Sequence, residues 1–241
     1  MFKKTLLLGA MVMAASLSAS AKEWKEIRVA IDPAYKPFTY KTADGKPTGF
    51  DVKIAQALCD KVKAKCTFVE QQWDAMIPGL MAKKYDTIIS SMSVTEERLR
   101  QVDFTSKYYN TPSKIVVNKS IKTDGSPASL KGKKIGVLKG STQEKYAKGE
   151  LAPAGVNVVG YDAQDQVYLD IKAGRLDGTV ADVVEVQGGF LDTADGKNHV
   201  FVGQPLRMKK YFGEGMGVAL RKGDKDLKAS LDKAFKDIRA D

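Results

Sequence analysis

The stretch Ile88-Ile89-Ser90-Ser91-Met92-Ser93-Val94-Thr95-Glu96-Glu97-Arg98 carries the most chemistry in the sequence, because an apolar run opens into hydroxyls and then into a helix with Arg98 in its first turn. A helix start leaves backbone N–H groups without partners and carries partial positive charge, so it suits an anion. Arg98 adds a planar two-pronged donor matched to the two oxygens of a carboxylate. The same spacing fits a plainer reading, in which Ser93 or Thr95 caps the helix and Arg98 pairs with Glu96, Glu97 or Asp103 at the surface. A counterpart runs from Ile135-Gly136-Val137-Leu138 through Lys139-Gly140 into Ser141-Thr142-Gln143-Glu144. Ser141 and Glu144 fit a capping box, which leaves the Thr142 hydroxyl and amide available to a ligand.

Acidic groups stand at comparable positions. Asp182 follows the apolar run Leu176 to Val180 and is a natural acceptor for an ammonium group, while Asp32 ends a short strand near Tyr35, Phe38 and Trp73. A carboxylate beside aromatic faces suits an organic cation, through charge-assisted hydrogen bonds and cation–π attraction. The plainer readings are a turn residue before Pro33 for Asp32 and a core residue of its own helix for Trp73. Motifs for catalysis or nucleotide binding are missing: there is no G-x-S-x-G, G-x-G-x-x-G or G-x-x-x-x-G-K-[ST], and His199 is the one histidine. No metal and no cofactor is expected.

Hydrophobic periodicity supplies the elements that must hold these groups. Ile27, Val29 and Ile31 alternate with Arg28 and Ala30 as a strand, and Phe50, Ile54, Ala57, Leu58 and Val62 recur at helical spacing. Cys66 to Val69 returns to a β pattern, Trp73, Met76, Ile77, Leu80 and Met81 form a second helical stripe, and Asp86 to Ser90 a third strand. The order β-α-β-α-β implies a parallel sheet with helices on both faces, where ligands bind outside the carboxyl ends of the strands. A second series begins after Tyr108-Tyr109-Asn110-Thr111-Pro112, with strands at Lys114 to Val117, Lys134 to Leu138, Val156 to Tyr161 and Leu176 to Val180. Asp162 is positioned to cap the helix between the last two, and Gly174 to end it. The tail adds a strand at Gly217 to Leu220 and a helix with Leu227, Leu231, Ala234, Phe235 and Ile238 on one face.

Lys3 and Lys4 precede an apolar run from Leu6 to Ala15 and a small-residue stretch ending Ala19-Ser20-Ala21, the pattern of a signal peptide over residues 1–21. That run is too short to span a bilayer. Cleavage after Ala21 removes two lysines and no acid, so the net charge falls from +10 to +8. The lysines are spread along the chain among Asp and Glu, as solvated faces are, and Lys131-Gly132-Lys133-Lys134 reads as a strand edge; neither suggests nucleic acid. Cys59 and Cys66, seven apart in a chain sent to an oxidising compartment, are expected to form one disulfide.

With these residues in place the sequence resembles the periplasmic binding proteins for polar amino acids, most of all the lysine/arginine/ornithine- and histidine-binding branch of ABC importer solute-binding proteins. The likeness runs from about Ile27 to the end. It is carried by Asp32 to Phe38, Gly49-Phe50-Asp51, the cysteine pair, Trp73 to Pro78, Ile88 to Arg98, Gly136 to Gln143, Gly174 to Asp177 with Asp182, and Lys210 to Gly217. It implies an α/β type II "Venus flytrap" fold, each lobe a mainly parallel sheet with helices on both faces. Two crossovers, near Asn110 to Ser113 and near Arg207 to Gly215, divide lobe one (22–111 with 213–241) from lobe two (112–212). The resemblance further implies a periplasmic monomer that closes on a basic L-amino acid (arginine, ornithine, lysine or histidine) and delivers it to an inner-membrane ABC permease. Carried over by position, Arg98, Ser93 and Thr142 hold the ligand α-carboxylate, and Asp182 with Ser91 the α-ammonium. Asp32, Ser90 and Gln143 face the side-chain head, Tyr35 and Trp73 stack on its stem, and Leu138 lines the wall beside the Ser141 cap. Trp73 is wider than the aromatic usual there and favours the flat guanidinium of arginine. Relatives also continue past the last helix through a G-T-Y-like turn that this sequence does not show. A different class on the same fold is a periplasmic enzyme of the cyclohexadienyl dehydratase kind, which needs a general acid in the cleft.

Overall fold

The computed structural model describes residues 24–240, so the leader and its cleavage point lie outside the described residues. Strand Glu26–Ile31 pairs in parallel with Lys65–Glu70 on one side and Thr87–Ile88 on the other. Ala219–Leu220 then runs antiparallel between Thr87–Ile88 and Asp103–Phe104, completing a five-stranded sheet. A second five-stranded sheet has the order Asn157–Tyr161, Lys134–Leu138, Gly178–Asp182, Ser113–Asn118, His199–Leu206, in which the first three are parallel and Ser113–Asn118 is antiparallel to both its neighbours. Four of five strands therefore share a direction in each sheet, and the reversed ones are Ala219–Leu220 and Ser113–Asn118. The mainly parallel α/β reading of the sequence agrees with this.

Both faces of each sheet are covered, which is why these strands are apolar almost throughout. Ile27, Val29 and Ile31 face helices Phe50–Lys61 and Lys225–Ala240, where Leu227, Leu231, Ala234 and Phe235 recur at the predicted spacing. Ala30 and Ile88 look the other way, onto Met76 and Leu80. In the second sheet Ile115, Val117, Ile135 and Val137 face Tyr146 and Leu151, while Val116 faces Val167 and Ile171. Each such buried aliphatic side chain contributes about 1.5–3 kcal/mol.

Two local readings change. The helix after Tyr161 is Gln164–Lys172, its N-cap is Ala163 with no side-chain cap, and Asp162 instead meets Lys139 at 2.6 Å. An ion pair has taken the carboxylate that the spacing reserved for the cap. The stripe from Trp73 to Met81 is split into a 3-10 turn, Trp73–Ala75, and a short helix, Met76–Met81, leaving Met81 50% exposed while Trp73 stays half-buried against the cluster that holds Met76 and Leu80.

Cys59 and Cys66 are bridged as expected, tying the last turn of helix Phe50–Lys61 to the start of strand Lys65–Glu70. A loop this small restrains the unfolded chain by about 2 kcal/mol. The Cys59→Ser/Cys66→Ser pair is therefore expected to lower the unfolding free energy by about that amount in a denaturant titration. An unchanged midpoint and slope would show that the bridge does not stabilise the lobe.

Candidate ligand-binding site

Strands and loops from both sheets meet at one cavity of about 320 Å³, lined by Tyr35, Trp73, Ser91, Ser93, Arg98 and Met216 and, from the second sheet's side, Leu138, Ser141, Thr142 and Gln143. Leu138 is the last residue of its strand and Ser141 to Gln143 follow it, while Ser91 and Ser93 follow strand Thr87–Ile88, so the cavity lies outside strand carboxyl ends. The structure thus brings together every expected residue except Asp32, Ser90 and Asp182. It adds Met216, which spacing did not single out. That residue bridges to Ser93 and Tyr109 in the segment returning to the first sheet, a proximity only the folded chain creates.

Arg98 is 5% exposed, and among the described residues it makes no salt bridge. Its Nη1 donates to the Ser93 carbonyl at 3.0 Å and its Nη2 to the Gly140 carbonyl at 3.3 Å, and the guanidinium lies 5.3 Å from the Trp73 ring centroid. Thr95 caps the helix by accepting from the Arg98 amide at 3.3 Å, and Glu97 bonds Lys145 across the two sides of the cavity. The surface-pair reading of Arg98 is thereby overturned. Burial lowers the Arg98 pKa to about 10, so it remains charged at neutral pH. A buried guanidinium held by two carbonyls and a ring face, with Glu97 acting on it without a salt bridge, gains from a carboxylate that bonds it directly.

The opposing helix start is built as the spacing implies, with one shift. The Ser141 hydroxyl accepts from the Glu144 amide at 3.0 Å, but Glu144 Oε2 accepts from the Gly140 amide at 2.7 Å where a capping box would take that of Ser141. Thr142 Oγ1 donates to Gln143 Oε1 at 3.1 Å, and Gln143 Nε2 donates to Ser113 Oγ at 2.9 Å.

The three expected residues outside the cavity wall are buried beside it. Ser90 Oγ accepts from the Asp32 amide at 3.0 Å, and Asp32 Oδ1 accepts from the Ala34 amide at 3.0 Å. Asp32 also lines a more open hollow of about 750 Å³ with Glu70, Gln71, Gln72, Asp162 and Gln166. Asp182 is the last residue of its strand and caps Val183–Val186, accepting from the Val184 and Glu185 amides at 2.9 and 3.2 Å and from the Thr111 hydroxyl.

Electrostatics set these acids apart. Burial pushes Asp32 up to about 6 and Asp51 up to about 6, and it raises Asp182 and, well above the usual carboxylate range, Glu185. Asp182 raises Asp51 and Glu185 further, and Asp32 raises Glu185, so the four act on one another without a cationic partner among the described residues. A cavity lined by one buried arginine, with buried carboxyls behind its wall, suits a zwitterion carrying an additional positive charge.

Cavity and sheets together define a two-domain α/β ligand-binding protein, and the comparisons agree. Residues 27–241 match the model of the bacterial extracellular solute-binding proteins, family 3, and the chain belongs to that family. It is 49% identical to the L-arginine-binding protein of Pseudomonas aeruginosa, covering 99% of this chain and 92% of that one. It is 44% identical to the histidine-binding periplasmic protein of Salmonella typhimurium, over 99% of this chain and 93% of the other. The structure of an ancestral arginine-binding protein bound to arginine superposes with a TM-score of 0.84 at 33% identity, covering 91% of this chain and 95% of that chain.

Proposed function

We propose that this protein is the periplasmic solute-binding component of an ABC importer, taking a basic L-amino acid between its two sheet-bearing lobes and passing it to the inner-membrane permease without changing it. Arginine is the first candidate. The observation that carries this reading is Arg98, a buried guanidinium that makes no salt bridge among the described residues, with the buried carboxyls Asp32 and Asp182 nearby, which likewise make none. An L-amino acid with a cationic side chain satisfies both at once, its carboxylate on Arg98, Ser93 and Thr142 and its ammonium on Ser91 and Asp182. Asp32, Ser90 and Gln143 meet the side-chain head, with Tyr35, Trp73 and Leu138 along the stem and Ser141 holding the helix start that Thr142 presents. Lobe one is 22–111 with 213–241, lobe two is 112–212, and the leader 1–21 directs export. A dehydratase would need one of these acids as a proton donor, whereas in the proposed complex each faces a cationic group of the ligand.

A thermal-shift plate of the twenty amino acids plus ornithine tests the assignment. A ligand at 100 times its dissociation constant adds roughly 2.7 kcal/mol, so arginine, lysine or ornithine raises the melting temperature and glutamate and aspartate do not. A shift with glutamate and none with arginine would overturn it.

A further inference from the structure

Asp51 opens helix Phe50–Lys61 and is fully buried, yet it lines no part of the cavity. Its carboxylate accepts the Ser91 hydroxyl on Oδ2 at 2.7 Å and the Tyr108 hydroxyl on Oδ1 at 2.9 Å. Neither contact is loose. Tyr108 stacks on Phe50 and Phe235, with ring centroids 6.2 and 5.8 Å away, and the Asp51 amide donates to the Phe38 carbonyl at 2.9 Å. The helix enters through Gly49 at φ 116, where a side chain's Cβ would stand 2.3 Å from that same carbonyl oxygen. Ser91 itself sits at φ 54, in the left-handed region, a conformation that costs a non-glycine residue and persists only where its surroundings impose it.

From this geometry we infer that Asp51 is the positioning residue that makes Ser91 a pure acceptor, so that the hydroxyl oxygen lining the cavity reads the ligand's α-ammonium. A serine hydroxyl has one proton and two lone pairs. With the proton committed to Asp51, only lone pairs face the ligand, and they accept from an ammonium while repelling a carbonyl or carboxylate oxygen placed there. Asp51 also puts its own negative charge behind the serine. The inference rests on the proposed function, since it assumes that Ser91 meets the ammonium end.

The test compares L-arginine with its desamino analogue, 5-guanidinopentanoate, by calorimetry. Both carry the carboxylate and the guanidinium, so Arg98 and Asp32 act equally on each. Asp51→Asn removes the negative charge and leaves one acceptor oxygen for the two hydroxyls of Ser91 and Tyr108, so the serine proton is no longer committed away from the cavity. The preference for L-arginine over the analogue is expected to shrink about tenfold or more, as follows from losing a hydrogen bond to a charged group, while the analogue's own affinity shifts less than about threefold. Asp51→Ala, which frees the Ser91 hydroxyl to rotate, narrows the same ratio and serves if the asparagine variant folds poorly. In a Ser91→Ala background either substitution changes the ratio much less, because the route through the serine is gone and only the charge behind it is lost. Equal losses for both ligands would make Asp51 a structural anchor and overturn the inference. A parent protein that binds both ligands equally would remove the ammonium reading beneath it as well.

Discussion

Arg98→Lys is expected to weaken every α-amino acid ligand by about 100-fold or more, irrespective of side chain. Among the described residues the guanidinium is the one buried cation lining the cavity, and its fork already spends Nη1 on Ser93 and Nη2 on Gly140, which holds the plane of the remaining donors fixed. A lysine ammonium is a point charge on a flexible stem and cannot keep both carbonyls while pairing two carboxylate oxygens. Hydrogen bonds to charged groups are worth roughly 1.5 to 3 kcal/mol each, so losing two gives the stated factor or more. Calorimetry with arginine, lysine and histidine at one salt concentration measures it. Unchanged affinity, or a loss confined to one ligand, would mean that Arg98 holds the loops and does not bind the carboxylate.

Asp32→Asn should act in the opposite manner, by side chain. The substitution keeps shape and removes charge, so affinity for arginine and lysine should fall about 10- to 150-fold, the cost of one desolvated charge-assisted hydrogen bond. Histidine, largely neutral above about pH 6.5, should lose less. The pH dependence follows with its sign. Burial places the free protein's Asp32 at about 6, and a bound cation favours the ionised form, so binding is strongest above that value and weakens as pH falls through it. Asp51, also at about 6, weakens binding in the same direction, so Asp32→Asn should make the decline shallower without abolishing it. Equal losses for all three ligands would mean that Asp32 shapes the cleft and does not read the side chain.

Much of this was legible in the residues, for reasons that also explain the rest. Strands such as Ile27 to Ile31 and helices such as that of Leu227 to Phe235 announce themselves because burial imposes a period on the sequence. The helix starts at Thr95 and Ser141 were legible because unpaired backbone donors demand particular caps. Asp51 was not, because an acid in the first turn of a helix already has an ordinary explanation in the helix dipole. Its role depends on Ser91 and Tyr108, which are 40 and 57 residues away. Met216 lies in a segment whose local pattern names no partner, and Asp162 was assigned to a cap because spacing does not reveal a competing lysine. Two-residue strands such as Thr87–Ile88 and Ala219–Leu220 are too short to carry a period, so the order of strands within a sheet was the least visible feature.

The reversed strand of the first sheet bears on the order in which the chain can be assembled. Ala219–Leu220 is the sole neighbour of Asp103–Phe104 and the second neighbour of Thr87–Ile88, so two segments made early must wait for one made near the end. The second sheet draws all its strands from Ser113 to Leu206 and has no such debt to later residues. Closing a loop of more than a hundred residues is entropically slow. Helix Glu96–Gln101, which carries Arg98, lies between the two waiting segments. A nascent or cut chain that stops short of Ala219 therefore lacks the clasp on both sides of Arg98, and the proposed carboxylate site is completed only with the last strand.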